Sequence, residues 1–379
     1  MDWQIPLFKI YWDKSDTDAV TKAISRGMSW TIGPEVTLFE EKLAAYLKVK
    51  HCLVFNNGTS ALHAAFLAHG IGEGDEVVVP SFTFISTANA VLFVGAKPVF
   101  ADIEEQTLGL DAADVEKKIT PRTKAIVAVD YAGCPCLMDT LKAVARKHKL
   151  ILIEDAAEAM GASIKDRKAG ALAETSILSF CQNKTITTGE GGAVATNSTD
   201  IYEKMKLTRS HGRLEVKGSN YFSSNQYMDY VTLGYNYRMS TITAALGVAQ
   251  LAKLDKMVGW RRERAARYDA KLSGLDGLKI SAPPPGFYHA YQMYTVRVMG
   301  GRRDALMQAL ADRGIMSKVF FYPIHLSHFY KNILKYKVKL PVTEVVSEQV
   351  VSLPIYPKMT AGEISEVTSR IAEFLAGAK

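Results

Sequence analysis

Seven short apolar runs, at 51–55, 76–80, 97–101, 124–129, 150–153, 176–180 and 192–195, recur through the first half of the chain, mostly separated by segments of helix length. They read as continuously apolar, the mark of strands buried on both faces. Strands of that kind interleaved with helices imply a mostly parallel sheet between two helical layers, so this half reads as a large three-layer α/β/α domain. Ahead of the first run, Val36, Phe39, Leu43 and Leu47 are spaced for a helix leading into the strand.

The 379 residues exceed a single typical core, which favours a second, smaller domain. After Tyr237 the texture changes. Residues 239 to about 275 read as one long helix, with Ala244, Ala245, Val248, Leu251 and Leu254 spaced for a buried stripe. That helix marks the expected boundary, giving a large domain with an N-terminal arm at 1–238 and a smaller α+β domain at 239–379. Within the latter, Pro283-Pro284-Pro285-Gly286 breaks the chain, 293–298 alternates as a strand, and 360–376 closes as an amphipathic helix opened by a Thr360-Ala-Gly-Glu363 cap.

Hydrophobic residues at 48% and charged residues at 22% suit a soluble globular protein. The net charge of +7 is scattered, with no basic block to track a phosphate backbone; an anionic small substrate fits as well, and no nucleic-acid partner is expected. No stretch approaches the roughly 18 apolar residues of a membrane span, and no apolar targeting segment opens the chain. Cys52, Cys134, Cys136 and Cys181 read as reduced thiols, since a Cys134–Cys136 bridge would close a strained ring. The expected location is the cytoplasm, without membrane contact and without a metal ion.

Four stretches carry chemistry. Lys184 follows an apolar strand and precedes Gly189-Glu-Gly-Gly192; burial there favours the neutral amine that attacks a carbonyl, although in isolation a solvated lysine is the commoner explanation. Asp155 ends the run Ile151-Leu-Ile-Glu-Asp155, where open parallel sheets bind ligands. A protonated pyridine nitrogen would partner such a carboxylate; the ordinary reading is a cap on the Ala-rich segment after it. Asn56-Asn57-Gly58-Thr59-Ser60 opens a helix directly after a strand and forms a natural phosphate cradle, or a plain N-cap through Thr59 or Ser60. Past the next strand, Phe82 and Phe84 offer a ring that stacks on a planar ligand, or two core aromatics. Amine, carboxylate, cradle and ring platform all fall at strand exits of one sheet, which favours the joint reading.

With those residues the chain resembles the sugar aminotransferases of the DegT/DnrJ/StrS group, which are fold type I pyridoxal-phosphate enzymes. The motifs are Asn57-Gly58-Thr59-Ser60-Ala61-Leu62, Pro80-Ser-Phe-Thr-Phe84, Glu154-Asp155-Ala-Ala, Lys184 with Gly189-Glu-Gly-Gly, and Gly234-Tyr-Asn236-Tyr-Arg238-Met, and the likeness runs from Trp30 to Pro357. It implies that Lys184 forms a Schiff base with pyridoxal 5'-phosphate and shuttles protons, with pyridoxamine 5'-phosphate as the intermediate form. Asp155 is expected to pair with the pyridine nitrogen, Gly58, Thr59, Ser60 and Ser179 to hold the phosphate, and Phe84 to stack on the ring. Asn236 reaches the phosphate from the neighbouring subunit, which implies a homodimer with shared active sites. Arg238 holds the donor carboxylate, and Trp30 and His325 contact substrate; His325 reads equally as a satisfied surface histidine. The expected reaction moves an amino group from glutamate to a nucleotide-linked keto-sugar. The likeness of the 154–160 and 183–192 runs to perosamine-type enzymes points to a 4-keto-6-deoxyhexose.

Two departures stand out. Many members carry glutamine where this chain has Glu158, beside the expected ring hydroxyl, and the segment 214–229 is longer than expected and is a candidate to shape the sugar-nucleotide site. The rivals are a dehydratase of the same group, whose members carry histidine in place of the lysine, and a cofactor-binding regulatory protein without turnover.

Overall fold

The structure is a computed structural model that describes residues 3–214, 225 and 227–377. The segment 215–224, most of the long stretch between 214 and 229, lies outside the described residues.

The seven apolar runs are the strands of one sheet. β1 (His51–Phe55), β2 (Glu76–Pro80), β3 (Lys97–Ala101), β4 (Thr123–Val129) and β5 (Ile151–Asp155) are followed by a short hairpin of β6 (Ser163–Ile164) and β7 (Arg167–Lys168), then by β8 (Thr175–Ser179) and β9 (Gly192–Thr196). The order across the large sheet is β1-β9-β8-β5-β4-β2-β3. Strands β8, β5, β4, β2 and β3 are parallel, and β9 runs antiparallel between β1 and β8.

Helices cover both faces: α1 (Lys14–Ser25), α2 (Pro34–Leu47), α3 (Gly58–Ala68), α4 (Ser86–Phe93), α5 (Ala112–Lys118), α6 (Met138–His148) and α7 (Thr199–Arg209). The period-2 geometry of a strand sends alternate residues to opposite faces. Val54, Val78, Ile126, Leu152 and Leu178 join Phe39 and Leu43 of α2 and Leu141 of α6 on one side. Their neighbours Leu53, Val77, Val127, Ile153 and Ile177 join Leu62 and Ala65 of α3, Val91 of α4 and Met205 of α7 on the other. Each fully buried large aliphatic or aromatic side chain contributes roughly 1.5–3 kcal/mol, which is why the runs are apolar throughout.

The stretch 239–275 is two helices, α8 (Thr241–Leu251) and α9 (Leu254–Leu272), not the single one expected. No glycine or proline marks the break. Its cause is tertiary: the Lys253 ammonium at the junction pairs with Asp13 and Asp16 at the start of α1, and the Gln250 amide donates to Tyr11 O at 3.1 Å and Asp16 Oδ1 at 2.9 Å. Helix α8 and the first turns of α9 pack into the core of the large sheet, through Ala244, Leu251, Leu254 and Met257.

The remainder forms a smaller α+β unit. β10 (Leu278–Ile280) pairs with β12 (Tyr294–Val298), which pairs with β13 (Val350–Leu353), all antiparallel, while β11 (Phe287–Tyr288) reaches back to β6. The second half of α9, α10 (Arg303–Ala311) and α12 (Ala361–Ala376) bury Tyr268, Leu306, Leu310, Ile364 and Ile371 on that sheet. Ahead of β13 lies α11 (Pro341–Gln349). The N-terminal arm joins this unit through a bridge between Ile5 and Ile315.

Candidate active site

A cavity of about 680 Å³ opens at the carboxyl edge of the large sheet. Its floor is made by residues at the strand exits: Asn57 to Ser60 after β1, Thr83, Phe84 and Thr87 after β2, Val129 in β4, Asp155, Ala157 and Glu158 at the end of β5, and Ser179 and Cys181 to Lys184 at the end of β8. Leu7 and Phe8 of the arm and Met316, Lys318, Phe320 and Phe321 of the smaller unit close it from above.

Asp155 ends β5 and is buried. Its Oδ2 accepts from the Thr87 hydroxyl at 2.9 Å and its Oδ1 from the Ala157 amide at 3.2 Å. No helix begins at 156, so the capping alternative falls away. Burial pushes the Asp155 carboxyl above its ordinary range, opposed by the Thr87 and Ala157 hydrogen bonds and the Lys184 charge. Such a carboxylate is under-compensated, and a cation set against it gains more than at the surface.

Lys184 sits in the loop between β8 and β9, with its side chain 13% exposed. The loop is stitched shut: the Lys184 amide donates to Cys181 O at 2.9 Å and the Thr188 amide to Phe180 O at 2.9 Å. It is tied to the smaller unit where the Gln292 side chain donates to Asn183 O at 3.0 Å. Across the cavity floor, Glu158 accepts from the Ala132 amide through Oε2 at 2.9 Å and from Lys184 Nζ through Oε1 at 3.5 Å.

The cap of α3 is Asn57, whose side chain accepts from the Ser60 amide at 2.8 Å, rather than Thr59 or Ser60. That frees the Thr59 and Ser60 side chains for the cavity they line. β9 presses on this turn: a Cβ on Gly192 would stand 2.5 Å from Asn57 C and 2.6 Å from Gly58 N, so only glycine lets the strand start there. A Cβ on Gly58 would meet the Ser179 Cβ at 3.4 Å, so the two residues face each other across the same small space.

Lys184, Asp155, Glu158, Gly58, Thr59, Ser60, Ser179 and Phe84 all line the cavity. Four other expected site residues do not. Trp30 is exposed and directs its indole N–H toward Ile24 O. Asn236 and Arg238 flank the cavity: their segment pairs with the end of β1, the Asn56 amide donating to Tyr237 O at 2.8 Å, but Asn236 is exposed and Arg238 donates to Ser210 Oγ at 3.2 Å. His325 is neither at the surface nor in the cavity. It is 2% exposed, with Nδ1 2.7 Å from Ser81 Oγ and Nε2 3.3 Å from Glu344 Oε1.

Thr87, Tyr237 and Lys318 join the site without having been assigned to it. Thr87 lies inside the Pro80–Asn89 stretch and Tyr237 inside the Asn236 motif. Lys318 has no local signal, since only the docking of the smaller unit brings it in.

The profile of the DegT/DnrJ/EryC1/StrS aminotransferase family matches residues 11–372. A GDP-perosamine synthase of Caulobacter vibrioides is 38% identical over 368 residues, covering 96% of each chain. The crystal structure of S. venezuelae DesV in complex with a ketimine intermediate superposes with a TM-score of 0.89 at 34% identity, over 98% of each chain. Spr1654 of Streptococcus pneumoniae in its PLP form superposes at 0.91 with 26% identity, over 100% of this chain and 99% of that one. The fold is that of the type I pyridoxal-phosphate transferases, whose chemistry is set at the carboxyl edge of such a sheet. Within that class, the chain belongs to the DegT/DnrJ/EryC1/StrS aminotransferase family, and it is a pyridoxal-phosphate-dependent aminotransferase.

The residues fit that cofactor. The first-turn amides of α3 have no carbonyl inside the helix and favour a phosphate, with the hydroxyls of Thr59, Ser60 and Ser179 around them. A buried carboxylate and an amine line the same cavity. Among the described residues no helix is long and apolar enough to cross a membrane.

Proposed function

We propose that this enzyme moves an amino group from an amino acid, L-glutamate, to a nucleotide-linked keto-sugar, a 4-keto-6-deoxyhexose. The observation that carries the reading is the convergence of Lys184, Asp155 and the α3 N-terminus on one cavity large enough for cofactor and part of a sugar. The likeness to a GDP-perosamine synthase supports a nucleoside-diphosphate-linked acceptor.

In this reading the amides of Gly58 and Thr59, with the Thr59, Ser60 and Ser179 hydroxyls, hold the cofactor phosphate. The Asp155 carboxylate holds the proton of the pyridine nitrogen, and Thr87 fixes its orientation. Phe84 packs against a ring face. Pyridoxal phosphate supplies, when bound, an aldehyde that takes up the amino group and a ring that delocalises the electron pair at the donor carbon. Lys184 is the residue that would hold it covalently, and its freed Nζ would accept a proton and return it in each half of the exchange. Phe8, Phe320 and Phe321 keep water from the reacting atoms.

The enzyme works as a cytoplasmic homodimer with shared sites. Exposure of Asn236 beside the cavity supports its use toward a neighbouring subunit, and Arg238 on the same segment serves the donor carboxylate. The smaller unit closes the cavity through Lys318 and Phe321, while α8 and the first turns of α9, beyond the expected boundary at 239, stay with the large sheet.

The test is the absorbance of the purified protein before and after glutamate, then with a panel of nucleotide-linked keto-sugars. A yellow enzyme bleached by glutamate and restored by a 4-keto-6-deoxyhexose is the expected result. Restoration only by 3-keto or unlinked sugars would overturn the acceptor, and the absence of a glutamate response would overturn the reaction.

A further inference from the structure

Residues 315–320 cross the roof of the cavity, and their backbone is held at three points. The Met316 amide donates to Ile5 O at 2.9 Å, the Lys318 amide to Ser352 O at 3.2 Å, and the Ser352 amide to Lys318 O at 2.8 Å. Held this way, the segment alternates as a strand does: Ile315 and Val319 are buried, while Met316, Lys318 and Phe320 line the cavity. The cavity wall carries three carboxylates, of Asp155, Glu158 and Glu190, against the amines of Lys184 and Lys318. Lys184 has Glu158 opposite it at 3.5 Å. Among the described residues no carboxylate pairs with Lys318, whose Nζ stands 5.0 Å from the centre of the Phe320 ring. That contact lays the side chain along the aromatic wall and leaves its N–H donors open. Lys318 is exposed as well as cavity-lining, so its charge stands at the mouth, on the unit that faces the floor.

We propose that Lys318 binds the diphosphate of the nucleotide-linked acceptor. The inference rests on the acceptor named under the proposed function and adds the residue that recognises it. A cation without a counter-ion, at the mouth of a cavity whose wall is otherwise acidic, is the place for a substrate anion. Two such anions compete for it. The donor carboxylate is bonded to the carbon that reacts at the floor beside Lys184, whereas the sugar ring separates the diphosphate from the reacting carbon and carries it toward the mouth. The chemistry of the side chain points the same way. An ammonium is a point charge with three rotatable donors, suited to the oxygens of a tetrahedral phosphate; a planar carboxylate is met better by the fork of a guanidinium. Because the diphosphate is the same whatever base it carries, Lys318 selects linked over unlinked sugars, not one nucleotide over another.

The experiment separates the two halves of the exchange in the holoenzyme. Stopped-flow absorbance follows bleaching by glutamate and then, in the pyridoxamine-phosphate form, recovery of colour with 4-keto-6-deoxyhexoses linked to GDP, UDP or dTDP. For the sugar that the wild type accepts, Lys318→Met is expected to raise the half-saturating concentration by roughly 10–100-fold, the worth of one hydrogen bond to a charged group. The change for glutamate should be far smaller. Ionic strength gives a readout that a packing role would not move: added salt weakens sugar binding in the wild type and much less in Lys318→Met. Lys318→Arg keeps the charge and should recover most of the affinity. Equal sugar affinity in Lys318→Met and the wild type overturns the assignment, as does a loss confined to glutamate or equal in the two halves; in each case recovery of the wild type by the linked sugar leaves the acceptor standing. A wild type that bleaches with glutamate but recovers with none of the linked sugars overturns the acceptor and the role of Lys318 together.

Discussion

Two polar residues, Lys184 and His325, both come from loops near strand ends, and the fold treats them in opposite ways. Lys184 continues from its own strand out of the sheet and enters the cavity at the edge where the parallel neighbour β5 also ends. His325 continues from no strand of that sheet. It belongs to a short turn at 324–326 before α11 and is pinned from both sides, by Ser81 after β2 and by Glu344 of α11. A residue delivered by its own strand to the carboxyl edge of a parallel sheet has its address written in local sequence. One delivered by docking between units does not, because its partners lie 244 and 19 positions away.

The comparison breaks most visibly at the lysine. Lys184→Ala removes the anchoring and proton-transferring amine without touching the sheet, so the glutamate half-reaction should slow by on the order of 10²–10⁴-fold, the usual worth of a positioned acid–base group. Stopped-flow absorbance after glutamate addition measures it, with the circular dichroism spectrum unchanged. A variant that still bleaches at the wild-type rate would show that a different amine carries the exchange.

At the histidine the expected effect moves from rate to stability. His325→Gln loses at least one of two buried hydrogen bonds and should cost about 1–3 kcal/mol in urea unfolding, with the glutamate half-reaction kept at its wild-type rate. The pH dependence sharpens the point. Burial lowers the His325 pKa below its ordinary 6.5, only partly opposed by Glu344. The unfolded chain therefore binds the proton more readily than the folded one, and stability is complete above about pH 6.5 and falls as the pH drops from there toward the lower folded value. The wild-type melting temperature should accordingly decline more steeply than that of His325→Gln below pH 6.5. A variant with unaltered stability and a raised KM for the sugar would restore His325 to a substrate contact.

The same contrast explains how much was legible in the sequence. Strands were readable almost to the residue, 76–80 and 97–101 among them, because burial on both faces demands an unbroken apolar run and the polar flanks end it. Asp155, Lys184 and the Asn57–Ser60 turn were readable because each is continuous with such a strand. The break at 252–253 was not, since the apolar stripe runs through it and its cause is an ion pair to α1 more than 230 positions away. Lys318, Phe320 and Phe321, which line the cavity, were hidden for the same reason.

The smallest effect belongs to a device that is wholly local, and it sets the baseline for the other two. Thr360 opens α12 with a reciprocal cap: its hydroxyl accepts from the Glu363 amide at 3.1 Å while the Glu363 carboxylate accepts from the Thr360 amide at 2.7 Å. Thr360→Ala forfeits the first of these bonds and should cost about 0.5–2 kcal/mol, centred near 1, with no change in the glutamate half-reaction. Glu363 also accepts from the Tyr356 hydroxyl at 2.6 Å, which ties the cap to the core of the smaller unit. If Thr360→Ala costs more than His325→Gln in the same urea titration, the cap is acting through that core contact. The separation between locally placed and remotely placed residues would then have to be redrawn at α12.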